Sequence, residues 1–158
     1  MRAVPFVRGL LLALVVLLLS GCGYNQIQGK DEAVKAGWSE VLNQYKRRAD
    51  LIPNLVATVK GYAGHEQQVL TAVTEARAKV SQITVNADDA ASLAQYQAAQ
   101  GELAQALGRL MMVTEAYPNL KADQQFLALQ TQLEGTENRI TVARGRYIQL
   151  VQDYNTYI

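Results

Sequence analysis

Apolar residues recur along this chain at alternating steps of three and four, which is the spacing of helices that bury one stripe against a neighbour. The first run has one gap, at Arg48, and comprises Val34, Trp38, Val41, Tyr45, Ile52, Leu55 or Val56, Val59 and Tyr62. It predicts a helix over about residues 28–63, roughly 50 Å long. Because an interior proline removes one backbone hydrogen bond, we expect a kink at Pro53 or a break just before it.

A second run with the same spacing follows a turn marked by Gly61 and Gly64. His65 and Glu66 open the second helix, which we expect to end near Ile83. Residues 84–89 then form a connection to the third helix. The candidates for the N-cap of that helix are Asn86, Asp88 and Asp89.

The third and fourth runs are separated by Tyr117-Pro118-Asn119, since proline disfavours helical geometry at the residue before it. The fourth helix starts near Ala122 or Asp123 and continues to the end of the sequence. Four helices with short connections pack most simply as an antiparallel bundle. The sequence therefore predicts an all-α fold, an up-and-down four-helix bundle with long first and last helices.

The N-terminal segment has a different pattern, because Leu10–Leu19 is a continuous apolar run. Arg2 and Arg8 lie before its start, and the small residues Ser20 and Gly21 follow it. A basic start, a short apolar core and small residues are the features of a secretory signal. As a helix this run rises only about 15 Å, against about 30 Å for the hydrocarbon core of a bilayer.

The stretch Leu19-Ser20-Gly21-Cys22 resembles the processing site of a bacterial lipoprotein. The resemblance implies cleavage after Gly21 and a diacylglycerol on the Cys22 thiol. An uncleaved N-terminal anchor is the alternative, and both place the remainder of the chain outside the cytoplasm. We therefore expect a signal peptide at residues 1–21, a short irregular tether at 22–27 and the helical bundle at 28–158.

The residue after the cysteine is Gly23, so the aspartate that retains some lipoproteins in the inner membrane is absent. In a host with two membranes this favours the outer membrane, with the protein facing the periplasm. Without residues 1–21, the chain has 13 basic and 14 acidic side chains, and its length suits one domain. This near-neutral balance argues against nucleic-acid binding. Cys22 is the only cysteine, so its acylation leaves none for a disulfide.

The residues that carry common catalytic chemistry form no recognisable set. His65-Glu66 begins like the zinc-protease motif H-E-x-x-H, but Val69 occupies the position of the second histidine. No Gly-x-Ser-x-Gly elbow is present, although spacing alone does not exclude a Ser-His-Asp triad. We expect no enzymatic activity, no metal and no cofactor, and we assign Glu66 to a first helical turn, where a negative charge is favoured.

Several charged and polar residues lie near the middle of the apolar runs and form a candidate polar seam. They are Arg48, Asp50, Asn54, Glu75, Arg77, Glu137, Arg139 and Arg144. Buried ion pairs that fix helix register, or simple solvated faces, are one interpretation. A polar ligand site inside the bundle is the other. The seam tyrosines, Tyr45, Tyr62, Tyr96, Tyr147 and Tyr154, are expected in the core with their hydroxyls at its edge.

Several stretches, in this order, resemble the LemA family. They are Arg48-Ala49-Asp50-Leu51-Ile52-Pro53-Asn54-Leu55-Val56, Val59-Lys60-Gly61-Tyr62-Ala63-Gly64-His65-Glu66, Glu75-Ala76-Arg77, Glu115-Ala116-Tyr117-Pro118-Asn119-Leu120-Lys121-Ala122, Leu133-Glu134-Gly135-Thr136-Glu137-Asn138-Arg139-Ile140 and Ala143-Arg144. The resemblance implies the same helical bundle and a family without established enzymatic activity. Members usually continue into a further tail, so we expect a C-terminal tail beyond Ile158 to be missing here.

These observations together predict a non-enzymatic lipoprotein of the bacterial cell envelope. Its partners are expected to be the membrane, through acylated Cys22, and another envelope protein for which the bundle is a scaffold or adaptor. The alternative is a module that binds a small molecule or a lipid in the polar seam.

Overall fold

A computed structural model describes residues 22–85 and 89–158, so the predicted signal peptide with Gly21, and the N-cap candidates Asn86 and Asp88, lie outside the described residues. Every regular element within these ranges is an α-helix, which confirms the all-α prediction. The elements are α1 (Cys22–Tyr62), α2 (Gln67–Gln82), α3 (Ala90–Thr114), α4 (Pro118–Lys121) and α5 (Gln124–Tyr157). The short helix α4 was not predicted.

Helix α1 corrects two expectations. Of the kink or break expected at Pro53, the break does not occur, because α1 continues through this residue. It also includes residues 22–27, which were expected to form an irregular tether. The helix can include these residues because Gln26, Ile27 and Gln28 are all compatible with helical geometry. A glycine inside a helix costs about 1 kcal/mol, which is not enough to prevent the helix from forming here.

The two long helices pack against each other along their length, and α2 packs against α3. Helix α1, with 41 residues, is about 60 Å long, whereas α3, with 25, is about 38 Å long. The long helices α1 and α5 therefore extend beyond α2 and α3. We call residues 45–140 the head, and the extensions of α1 and α5 at residues 22–44 and 141–157 the arm.

The core follows the predicted apolar stripes. On α1 it contains Trp38, Val41, Tyr45, Ile52, Leu55 and Val59, all buried. Leu70, Val73 and Val80 of α2, Leu103, Leu107 and Leu110 of α3, and Phe126, Leu133 and Ile140 of α5 complete most of it. Of the seam tyrosines, Tyr45 and Tyr96 are buried, Tyr147 and Tyr154 are half-buried, and Tyr62 is exposed.

Side-chain caps set the first residues of α3 and α5. Asp89 accepts a hydrogen bond from the backbone N–H of Ala91 at 2.9 Å, and Asp123 accepts one from Phe126 at 2.8 Å. Both acids satisfy amides that have no partner within their helix. Asp123 also accepts from the Tyr62 hydroxyl at 2.8 Å, which links the end of α1 to the start of α5.

Glu66 lies at the N-cap of α2, one residue before the first turn that was predicted for it. Its carboxylate accepts a hydrogen bond from the Tyr117 hydroxyl at 2.9 Å, and this bond raises the pKa of Tyr117. The neighbouring His65 is exposed in the turn between α1 and α2. His65-Glu66 therefore belongs to a connection at the end of the head.

Candidate functional site: a buried polar link and two open grooves

Arg48 of α1 forms a polar link between three helices inside the head. Its guanidinium donates from Nη1 to Glu137 Oε1 of α5 at 2.8 Å and from Nη2 to the side-chain oxygen of Gln100 on α3. Arg48 and Gln100 are each only 3% exposed, whereas the Glu137 side chain is 44% exposed. The link therefore joins a charge enclosed by protein to a carboxylate that still contacts water.

Aromatic rings enclose the Arg48 guanidinium further. Its central carbon lies 5.3 Å from the centre of the Tyr45 ring, within the range of cation–π attraction. The Tyr45 ring meets the Tyr96 ring edge-on at 5.7 Å, and burial raises the pKa of Tyr96. Among the described residues, none accepts a hydrogen bond from Arg48 Nε or Gln100 Nε2. This enclosure supports a packed link between helices more than an open ligand site.

Arg77 of α2 has a separate role. Its Nε donates to the backbone carbonyl of Ala49 at 2.9 Å. In a regular helix that carbonyl accepts from the amide four residues later, but that position is Pro53, which has no N–H. Arg77 thus supplies the donor that the proline lacks and explains how α1 continues through Pro53.

The other candidates for the polar seam do not join this link. Asp50, Asn54, Glu75, Arg139 and Arg144 are all exposed. The structure therefore brings together Arg48 and Glu137, bonds Arg77 of α2 to the Ala49 carbonyl of α1, and leaves the remaining five on solvated faces.

One open groove lies in the head between α3 and α5, and we call it the head groove. It has a volume of about 570 Å3, and its apolar lining includes Leu107, Met111 and Leu133. Gly108 also lines it, and a side chain there would meet open space. Met112, the next residue after Met111, is 68% exposed.

A larger groove, about 680 Å3, lies between α1 and α5, and we call it the outer groove. Its floor contains small residues of α1, namely Ala33, Ala36 and Gly37. Val142 of α5 lines it and is 72% exposed. Apolar surfaces of this kind mark interaction sites more often than scattered single residues do.

Cys22, the predicted site of lipid attachment, is the first residue of α1. Across residues 22–85 and 89–158, no helix is both long enough and apolar enough to cross a membrane. The same part of the chain has no group of three or more His, Cys, Asp or Glu side chains placed to bind a metal ion.

Comparison with known proteins places the chain. A profile of the LemA family matches residues 37–158, which is most of the sequence. The chain belongs to the LemA family. Protein LemA from Metamycoplasma hominis is 26% identical over 134 residues, which cover 85% of this chain and 55% of that protein. The chain thus spans about half the length of that relative.

The part of this LemA-family chain that the profile matches contains the whole polar link. Sequence reasoning found Arg48 and Glu137 but missed Gln100, because it lies in a stretch rich in Ala and Gln that resembles a solvated helix face. Its spacing was the available signal. Position 100 is four residues after Tyr96 and three before Leu103, which puts it on the buried stripe of α3.

Proposed function

We propose that this LemA-family protein is a lipid-anchored, non-enzymatic scaffold of the bacterial cell envelope. In this proposal Cys22 carries the lipid, and α1, α2, α3 and α5 form an antiparallel four-helix bundle that binds another envelope protein. The arrangement that carries the proposal is an unbroken 41-residue helix that runs from Cys22 into a head with an open apolar groove.

The length of α1 gives the scaffold its geometry. From Cys22 to Arg48 a helix rises about 39 Å. The polar link attaches α1 to α3 and α5 at this distance from Cys22, because Arg48 forms hydrogen bonds with Gln100 and Glu137. A lipid on Cys22 therefore leaves the head groove within reach of a neighbouring protein when α1 stands upright.

The non-enzymatic part of the proposal is supported by the surroundings of the sole histidine. His65 is exposed in a turn, and the carboxylate next to it, Glu66, accepts the Tyr117 hydroxyl. Glu66 therefore ties the turn to the segment before α4.

Site-specific photocrosslinking in membranes tests the scaffold role. A photoreactive phenylalanine analogue replaces Gly108, which lines the head groove, in the full-length chain produced with its own N-terminus. Gly101 is the matched control, since it is also an exposed glycine of α3 with open space around its Cβ but does not line the groove.

We expect one defined adduct with another envelope protein at position 108, no such adduct at position 101, and loss of the adduct when Cys22→Ala removes the anchor. Identical adducts at both positions, or no adduct at position 108, would contradict the proposal.

A further inference from the structure

The outer groove lies on a face of α1 that the core stripe does not use. Its α1 residues Ala36 and Glu40 are exposed and lie about 100° or more around the helix from Trp38 and Val41, which are buried in the core. Helical positions one residue apart differ in direction by about 100°. Among the described residues the groove is lined by α1 and α5 alone, so neither α2 nor α3 covers this face of α1.

The two walls of this groove carry opposite charge. Glu40 lies on the α1 wall, and Arg139 and Arg146 lie on the α5 wall. Among the described residues, no carboxylate forms an ion pair with either arginine. Glu40 accepts a side-chain hydrogen bond from Gln44 at 2.7 Å.

Contacts between α1 and α5 define the position of each of these charges along the shared axis of the two helices. The rings of Trp38 and Tyr147 lie 5.3 Å apart, and Arg48 meets Glu137 at 2.8 Å. Ten residues forward along α1 thus correspond to ten residues back along α5. By the same register Glu40 is level with residue 145, so Arg146 is at almost the same height on the opposite wall.

We propose that the outer groove binds a second copy of this chain, with α1 of each copy against α5 of the other. A two-fold axis parallel to the helices leaves every residue at its own height and brings the acidic wall of one copy to the basic wall of the other. The contact between Glu40 and Arg146 then forms twice. Each helix also gains an antiparallel neighbour, the arrangement found in antiparallel four-helix bundles.

This two-fold arrangement places both Cys22 ends on the same side, as attachment to one membrane surface requires. That agreement rests on the proposed lipid anchor, whereas the charge and register arguments do not. The small side chains of Ala33 and Ala36 leave room for the exposed Val142 of the other copy.

Charge reversal tests the proposal in the full-length protein extracted in mild detergent. Wild type is expected to form dimers in sedimentation velocity. Glu40→Arg and Arg146→Glu each place like charges opposite one another, so each weakens dimerisation by at least about tenfold. When both changes are made in one chain, the charges of the two walls are exchanged, and dimerisation should be restored.

Glu75→Arg and Arg109→Glu are the matched controls, because they make the same charge changes on exposed positions of α2 and α3. Thermal unfolding followed by circular dichroism checks that each variant is folded. A monomeric wild type, a dimer that neither single reversal weakens, or a double variant that stays monomeric would each overturn the proposal.

A photoreactive residue at position 142 provides a second measurement. An adduct with twice the mass of the chain supports the proposal. An adduct with a different protein overturns the two-fold interface while leaving the scaffold role intact, and no adduct at all overturns the interface. The adduct at position 108 reports on the scaffold role separately.

Discussion

Arg77 Nε lies 2.9 Å from the carbonyl oxygen of Ala49, the one acceptor in α1 that Pro53 deprives of its amide donor. The bond connects α2 to α1 at the position where α1 would otherwise be weakest. A donor from another helix therefore allows a proline to occupy the middle of a long helix.

Replacing Arg77 with Met should destabilise the fold by about 1–2 kcal/mol, because the Ala49 carbonyl loses its donor. In a Pro53→Ala background the residue at 53 regains its N–H, so the same replacement should cost distinctly less. Urea unfolding of the four proteins in this cycle gives the coupling energy. Arg47→Met, at an exposed position of α1, is the control, and equal costs in both backgrounds would refute the explanation.

The polar link predicts an asymmetry between its two charged members. Arg48 is 3% exposed, so removing its partner leaves a positive charge that water cannot reach. The Glu137 side chain is 44% exposed and can be solvated alone. Glu137→Gln should therefore destabilise the protein by about 1–3 kcal/mol, and Arg48→Met, which keeps an apolar chain of similar length, should cost less.

Chemical unfolding in urea measures both variants of the link. Glu134→Gln, at an exposed position on the same helix, is the control and should have little effect. A larger loss for Arg48→Met than for Glu137→Gln would show that packing and the ring contact with Tyr45 outweigh the enclosed charge.

Apolar spacing was sufficient to predict α1, α2, α3 and α5, because each buries a stripe whose period is read directly from the sequence, whereas the four-residue helix α4 is too short to show one. Of the kink or break expected at Pro53, the break was wrong, because the donor that replaces the missing N–H, Arg77, lies 24 residues away and is brought close only by the packing of α2 on α1. A local rule for proline has no access to that donor.

The candidate site was predicted only in part, because a local pattern does not show which side chains the packing of helices brings together. Arg48 falls at the gap in the first apolar stripe, and this signalled a buried polar residue. Asp50 and Arg144 are also charged residues of the two long helices, yet both are exposed to solvent. Only the helix register separates the two groups, and the grooves, which depend on how close two helices approach, had no counterpart in the sequence pattern.

The Asp123 cap predicts a specific acid sensitivity. Hydrogen bonds from the Phe126 N–H and then the Tyr62 hydroxyl lower the pKa of the Asp123 carboxyl. A lowered folded-state pKa means that this contribution to stability is present above about pH 4 and is lost as the pH falls through the folded value. Asp123→Asn keeps a capping oxygen without a titrating group.

The melting temperature of wild type should therefore fall more steeply between about pH 4 and pH 2 than that of Asp123→Asn. Circular dichroism across this range gives both curves. Asp153→Asn is the control, since Asp153 is an exposed acid near the end of α5. Parallel curves for wild type and Asp123→Asn would contradict the role assigned to the cap.

Glycines on the long helices should respond differently to alanine according to their surroundings. A Cβ at Gly29 or Gly145 meets nothing within 4 Å, so Gly→Ala should stabilise by about 0.5–1 kcal/mol. A Cβ at Gly37 would lie 2.6 Å from Leu150 Cδ1, which should cancel that gain. In a Leu150→Ala background the gain at position 37 should reappear, and urea unfolding at one protein concentration measures all of these variants.

The attachment of Cys22 to the membrane is the central claim, because the scaffold geometry begins there. The most direct measurement is the intact mass of the protein extracted from membranes of its bacterial host, followed by sequencing of its N-terminal peptide. We predict a chain that begins at Cys22 and carries the mass of a diacylglycerol and any further acyl chain. A chain that retains Met1 and has no acyl mass would contradict it.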